Sequence, residues 1–552
     1  MSACHIPPAG FRGTYRDDAL ARAIYSEAAG IARIVPAAVA VPVDADDVVS
    51  LVRWANGNSL SLVPRGSGTS MAGGAIGSGL IVDLSRIDWI GEVDTAARTV
   101  WVGPGSLRGA VNRAAATHGL RFPVDPSSGE YCTVGGMAST NAAGAHTLRF
   151  GATRQWVLGL DCVFEDGSRG VIERGMSVPA GIPAVERFQT DARHALLGAP
   201  AALAEHNGVA KESSGYGVSP YAKSGELIDL LVGSEGTLAI VVGVKLGLNE
   251  APGATSGVLG AFDSLDDAVA AAIGARAAGA AACELLDRTF LDVAASGDPE
   301  QQVPALASVP AGTEAVLLAE VEAASADEAA RAATDLSKAF LQAGATIAPI
   351  AIAAADQKEI WDLRHAASPI LSRLDPSLRS MQFIEDGAVP PDALADYVRG
   401  VRAALDGRGV RGVIFGHAGD SHIHVNPLID VSESDWREKV DGLLEDITSL
   451  TARLGGTLAG EHGDGRLRTP LLPRVWDSRA LELFSLVKHA FDPKGILNPG
   501  VKVPLPGQRA IGDVKYDPSL APLPPDARAA LDRIADTRAY ATLRLSLVPG
   551  SV

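Results

Sequence analysis

At 552 residues with 47% hydrophobic content, the chain is too long for one core and divides into two or more domains. A formal net charge of −17 excludes nucleic acid as a partner, because phosphate binding is driven by Lys and Arg. The four cysteines, Cys4, Cys132, Cys162 and Cys283, are scattered without a Cys-x-x-Cys pair, which excludes a zinc knuckle, an iron–sulfur cluster held by this chain and a disulfide framework.

Met1–Arg16 lacks the basic-then-apolar pattern of a signal peptide. The alanine-rich stretch 268–283 is interrupted by Arg276 and followed by Glu284, so no segment reads as a membrane span. A cytoplasmic protein is expected, with a peripheral contact to the inner membrane left open. Residues 34–41 predict a strand. Asp44 then caps a helix whose apolar positions 48, 51, 52 and 55 fall at helical spacing. A strand at 60–63 enters Pro64-Arg65-Gly66-Ser67-Gly68-Thr69-Ser70, and a strand at 80–84 follows. This glycine loop joins strand to strand and has no lysine, so it is neither a nucleotide P-loop nor a dinucleotide fingerprint. Its backbone N–H groups, with the hydroxyls of Ser67, Thr69 and Ser70, can form an anion nest; an ordinary flexible turn is the alternative.

The run 133–144 is dominated by glycine and alanine and suits contact with a flat ligand better than filling a core. Strands are expected at 157–165 and 238–246. From 251–257, read as a linker, the composition changes to short strands and alanine-rich helices. The order is strand 257–262, helix 265–279, strand 315–322, helix 326–343 and strand 347–353, an α+β arrangement. Ile360-Trp361-Asp362-Leu363-Arg364 ends a helical turn.

Residues 411–426 predict a hairpin, with Gly419-Asp420-Ser421 as its turn and even positions 422, 424 and 426 on one face. It would bring His417 near His424, either as hydrogen-bonded residues of a polar hairpin or as half of a metal site, with Glu461 as the downstream anionic ligand. A helix over 432–454, with Ser432 and Asp435 as cap residues, leads to a strand at 457–460. Further helices are expected at 479–490 and 525–537.

Taken together, PRGSGTS (64–70), DPSS with TVGG (125–136), TNAAG (140–144), SSGYG (213–217) and GSEGTL (233–238) resemble the FAD-binding domain of vanillyl-alcohol-oxidase-type (PCMH-type) flavoproteins. With GHAGDSHIHVN (416–426), GEHGDG (460–465), Phe491-Asp492-Pro493 and Ile496-Leu497-Asn498-Pro499-Gly500, the chain is similar to FAD-linked D-2-hydroxyacid dehydrogenases. That group includes the D-lactate, D-2-hydroxyglutarate and glycolate-oxidising enzymes. The resemblance covers about residues 30–503.

It implies an α+β fold with a two-subdomain FAD-binding domain at 30–250. A ferredoxin-like substrate and metal-site domain follows at 256–502, with C-terminal helices and a proline-rich tail at 503–552. It implies noncovalent FAD held by Arg65, Gly66, Ser67, Gly68, Thr69, Ser70, Gly136, Asn141, Glu235, Ile240 and Asn498, with His146 a neighbour rather than a covalent tether. Arg364 would pair with the substrate carboxylate, Ser368 and Asn426 would assist, and His462, with a pKa near neutral, would remove the hydroxyl proton. His417, His424 and Glu461 would hold a divalent metal, zinc being the expected ion; His422 lies outside this set.

Ile384 occupies the position where some D-2-hydroxyglutarate enzymes carry a lysine, which weakens the case for a second substrate carboxylate. Electrons would leave to an external acceptor: a quinone, a cytochrome, an electron-transfer flavoprotein or a separate iron–sulfur subunit. A homodimer is compatible with the pattern. Two alternatives stand beside this reading: a non-redox transferase of the ether-lipid synthase type, and a flavin subunit of a multi-chain glycolate oxidase. Glu461-His462-Gly463 speaks against the first and the complete histidine set against the second.

Overall fold

The computed structural model describes residues 7–199, 206–295, 303–365 and 377–550. Cys132, Cys162 and Cys283 are buried and unpaired; Cys4 lies outside the described residues. No helix among the described residues is long and apolar enough to cross a membrane.

Two four-stranded sheets precede residue 251. The first is ordered Thr14–Arg16, Ala38–Val41, Leu80–Asp83, Leu62–Arg65, its last three strands parallel. The glycine loop thus leaves one parallel strand and returns to the next. The helix between the first two of these, Ala45–Asn58, starts where expected: the Asp44 carboxylate accepts from the N–H groups of Asp46 and Asp47. The second sheet is antiparallel, ordered Thr99–Val102, Ile240–Gly247, Val157–Val163, Arg169–Glu173.

Leu120–Arg121 and Asn249–Glu250 pair as a two-stranded ribbon, and the strands after residue 251 form one nine-stranded sheet. Its first part runs strand–helix–strand–strand–helix–strand through Ala254–Phe262, Leu265–Ala277, Ala282–Asp287, Ala315–Ala323, Ala326–Gln342 and Ala345–Ile347. This is the ferredoxin-like unit. Residues 251–257, expected as a linker, already enter its first strand, because Ala254 through Phe262 pair in unbroken register with Ala323 through Ala315. The expected strand 347–353 is instead two short strands, Ala345–Ile347 and Ile350–Ala351, both on Ala254–Phe262.

The sheet continues past Ala282–Asp287 into the hairpin Arg411–His417/His422–Asp430, whose far side is paired by Leu378–Ser380 and Gly387–Ala388, so the histidines sit inside the extended sheet and not at its edge. The turn is a 3-10 segment, Ala418–Asp420, closed by Ser421 in the left-handed conformation. The helix Trp436–Arg453 is capped differently from expectation. Ser432 bonds Asp430, and Asp435 holds the cap position without a side-chain hydrogen bond. No strand forms at 457–460; Thr457 makes a single bridge to Ala388. The segment is held instead by Asp386, whose carbonyl accepts from the Gly460 N–H and whose carboxylate accepts from the Glu461 and His462 N–H groups, and by the Ser213 hydroxyl, which accepts from the Gly463 N–H and donates to the Ala459 carbonyl. The helix Pro525–Thr537 packs against Ala19–Ile24, sharing a core with Tyr25, Val63 and Ile81.

His146 ties the region before residue 251 to the nine-stranded sheet. Its Nδ1 is 2.6 Å from Asp125 Oδ2 and its Nε2 is 2.8 Å from Glu320 Oε1, with the ring stacked on Trp361. Both nitrogens being engaged, it has none to offer a cofactor. Burial opposes the charged ring, but Asp125 and Glu320 outweigh it and raise the His146 pKa well above its usual value. Burial likewise opposes the Asp125 carboxylate, yet His146 lowers its pKa. The histidine contribution is full below the unfolded histidine pKa and is lost as pH rises through the raised one; the aspartate contribution is full above the unfolded aspartate pKa and is lost as pH falls through the lowered one. The melting temperature of His146→Gln should therefore fall furthest below wild type between about pH 4 and 6.5, and scanning calorimetry should show the gap closing on alkalinisation.

Candidate active site

The site lies where the histidine hairpin meets the loop 460–465. On the hairpin, His417 faces His422 directly, and His424 pairs with Phe415 two positions along. The remote partners of each ring fix which nitrogen carries the proton. His424 Nδ1 is 2.7 Å from the Glu385 carbonyl, which can only accept, so this nitrogen donates and Nε2 carries the lone pair. His417 Nδ1 is 2.5 Å from Glu284 Oε1 and donates to it.

The atoms left facing one another are His417 Nε2, His424 Nε2 and Glu461 Oε1. They form a near-regular triangle with sides of 3.3, 3.4 and 3.4 Å. Zinc bonds of about 2.0–2.1 Å place tetrahedral ligand atoms roughly 3.3 Å apart, so this donor set fits such an ion. Without a cation the triangle is held by a proton. Burial disfavours charge on His417, but Glu284 and Glu461 outweigh it and raise its pKa to about 8. Glu461 is buried, which opposes its charge; Lys211 and then His417 hold it well below the usual carboxylate range. Lys211 is itself buried, with Nζ 3.4 Å from Glu461 Oε2 and 2.7 Å from the Gly144 carbonyl.

His422 is not outside this cluster, as the sequence suggested: a nitrogen of its ring lies within 4.8 Å of the ligand atoms of His417, His424 and Glu461. Burial pushes its pKa down to about 3, so the ring is neutral.

His462 stacks on His424 with ring centroids 5.5 Å apart, its Nδ1 3.2 Å from Glu385 Oε1. With 25% of its side chain exposed, it is the most open of the four imidazoles. Its expected near-neutral pKa is not found: burial lowers it, but Asp386 and Glu385 raise it to about 9. Arg468, buried, balances those carboxylates by bonding Glu385 and, at 3.3 Å, Asp386.

Arg364 makes no ion pair with Asp362, which pairs with Lys358 instead. Its Nε donates to Glu284 Oε2 at 2.6 Å and its guanidinium lies over the Phe415 ring, one carboxylate away from His417. Asn426 shares the strand face of His424. Ser368 lies outside the described residues.

The glycine-loop residues divide by what their side chains do. Gly66 is required by close approach, since a Cβ there would fall 2.1 Å from Thr133 Oγ1. Thr133 in turn caps the helix Val134–Thr140 through the N–H of Gly136. Ser70 Oγ is shielded from solvent without a hydrogen-bond partner among the described residues, a donor free for a ligand. The cradle and this orphan hydroxyl fit a pyrophosphate bound at the loop, with Ser67, Gly68 and Thr69 alongside.

Other expected contacts turn inward. The buried Arg65 guanidinium bonds the carbonyls of Glu27 and Ala75 and braces the loop from behind. Asn141 bonds Glu212 O and Arg154 N, Asn498 bonds the carbonyls of Gly74 and Glu235, and Ile240 is a core side chain. Their side chains shape the walls. Glu235 accepts from the N–H groups of Asp464 and Gly465 and pairs with Lys502 at 3.1 Å, fastening loop 233–238 to loop 460–465. Asp464 is fully buried and anchors Ser214, Gly215 and Lys502. Glu284, Lys211 and Lys502 escaped the sequence reading because nothing local marks them.

Fold and site together define a protein that holds a flat, phosphate-bearing cofactor beside a buried cluster of imidazoles and carboxylates. Residues 36–170 match the family model of an FAD binding domain, and residues 251–501 match that of the C-terminal domain of FAD linked oxidases. An uncharacterized FAD-linked oxidoreductase from Mycobacterium tuberculosis is 30% identical over 84% of this chain and 90% of its own. The chain belongs to the FAD-linked oxidoreductases that carry these two domains.

A D-2-hydroxyglutarate dehydrogenase from Pseudomonas putida is 30% identical over 96% of this chain, which spans only 54% of that protein's length. The glycolate oxidase subunit GlcD of Bacillus subtilis is 28% identical, covering 88% of this chain and 93% of that one. Among solved structures, the 4-ethylphenol oxidase of Gulosibacter chungangensis superposes with a TM-score of 0.65 at 16% identity, covering 89% of this chain and 94% of that one. That likeness is one of fold.

Proposed function

We propose that the chain oxidises a D-2-hydroxyacid to the 2-oxoacid, using noncovalently bound FAD and a divalent cation, zinc, held by His417, His424 and Glu461. The observation that carries this reading is the ligand triangle with His462 open beside it. The names of the D-2-hydroxyglutarate dehydrogenase and glycolate oxidase relatives support the substrate class. We also retain the division into 30–250, 256–502 and 503–552.

When bound, the cation supplies Lewis-acid polarisation of the substrate hydroxyl, and FAD accepts two electrons. The protein supplies the rest. The loop 66–70 receives the pyrophosphate through backbone N–H groups and Ser70 Oγ. Arg364, oriented by Glu284 and Phe415, binds the substrate carboxylate, and Asn426 helps hold it against the cluster.

His462 takes the hydroxyl proton at Nε2, while Nδ1 stays on Glu385. With a divalent cation held by His417, His424 and Glu461, the pull of Asp386 and Glu385 on the His462 proton would be opposed and the ring would favour its basic form. Loss of the hydroxyl proton and of the C2 hydrogen with its electron pair gives the 2-oxoacid. The two electrons then pass to an external acceptor, a quinone, a cytochrome, an electron-transfer flavoprotein or an iron–sulfur subunit.

Anaerobic titration of the purified flavoprotein with D- and L-2-hydroxyacids tests the reading. D-isomers should bleach the flavin band. Bleaching by L-isomers alone would contradict the stereochemistry, and a protein releasing no flavin on denaturation would remove the FAD assignment.

A further inference from the structure

We infer that His422 is a third imidazole ligand to the cation, bound through Nδ1, so that the protein offers three nitrogens and one carboxylate oxygen rather than two and one. This rests on the metal reading above.

The argument begins at Asp386. Its Oδ1 accepts from the Glu461 N–H at 3.1 Å, its Oδ2 accepts from the His462 N–H at 2.9 Å, and Arg468 lies 3.3 Å from it. A carboxylate so surrounded by donors is an anion with no proton to give. His422 Nε2, 2.9 Å from Asp386 Oδ1, is therefore the donor in that bond, which leaves the lone pair on Nδ1.

Nδ1 is buried and has no hydrogen-bond partner among the described residues. It lies 4.0 Å from Glu461 Oε2, also an electron-pair donor. A fully buried lone pair facing a carboxylate oxygen is unfavourable unless a positive centre lies between them. The triangle supplies that centre, and all four residues present a ligand atom within 4.8 Å of the others.

The ring has no alternative pose. Gly460 packs so closely on it that a Cβ there would fall 2.7 Å from His422 Nε2, and the ring centroid is already 4.7 Å from that of His424. An aspartate holding one nitrogen while the other faces a cation is the arrangement by which carboxylates orient metal-binding histidines. A donor set of three imidazoles and one carboxylate favours zinc, cobalt or nickel over magnesium or calcium.

X-ray absorption on the flavin-containing protein loaded with Zn2+ counts the imidazoles directly and needs no variant. Three would support the assignment; two would overturn it and leave the metal reading intact. Chelator competition on His422→Asn, which keeps a donor for Asp386, provides the second readout. Zinc affinity should fall by about 10–100-fold or more, and the Co2+-substituted variant should show a changed visible spectrum. Wild-type affinity and spectrum in the variant would overturn the inference alone. Wild-type protein that binds no Zn2+ would overturn it together with the metal reading.

Discussion

His462→Gln should slow anaerobic flavin reduction by about 10²–10⁴-fold, the usual contribution of a positioned general base. Glutamine can keep a donor toward Glu385 Oε1, and the backbone N–H of residue 462 keeps Asp386, so the loop 460–465 retains its anchors. FAD and zinc content should stay at wild-type levels, which separates this variant from one that damages the site. Stopped-flow measurement across pH adds a second signature. Wild type should lose rate as pH falls and His462 Nε2 becomes protonated, whereas the variant should show no such limb. A variant as fast as wild type would remove His462 from proton transfer.

Glu461→Gln should abolish stoichiometric zinc and lower the rate of flavin reduction by about 10³-fold or more, since Lewis-acid stabilisation amounts to several kcal/mol. The substitution is nearly isosteric, so the loss is one of charge. It also leaves Lys211 Nζ buried, with Asp420 at 3.5 Å as its remaining carboxylate. Breaking a buried pair from one side costs about 3–5 kcal/mol, reduced here by Asp420. His424→Ala should lose zinc too but keep the Lys211–Glu461 pair. Elemental analysis should thus show both variants depleted of metal, while thermal unfolding shows the larger loss in Glu461→Gln. Full zinc in both would refute the ligand assignment.

Much of this was legible in the sequence where the signal is local. The Asp44 cap, the alternation of 422–426 and the strand–helix order from 257 all concern neighbours within a few residues, and the backbone follows them. The boundaries that failed are those decided by distant partners. Nothing in 457–460 says that Thr457 finds only Ala388, or that Ala254 finds Ala323.

The candidate site shows the same division. His417, His424, Glu461 and His462 could be listed because motifs carry them. The groups that set their protonation lie far off in sequence: Glu284 is 133 residues from His417 and Lys211 is 250 residues from Glu461. Arg65, Asn141 and Asn498 had the right chemistry for a cofactor, but burial commits their side chains to backbone carbonyls and amides. The place of His422 beside the cluster has the same origin. Only the position of Asp386 shows which of its nitrogens is left over.

Glu235 carries a last consequence. Its carboxylate fastens the loop beside the flavin region to the loop that bears Glu461 and His462, with Lys502 neutralising the joint. Neither loop can open locally without exposing that buried carboxylate, so the two form one cooperative unit that protects or exposes its amides together. On the proposed function, loss of FAD or of the cation would then be felt at the other's site, and loading one would help to preorganise the pocket for its companion.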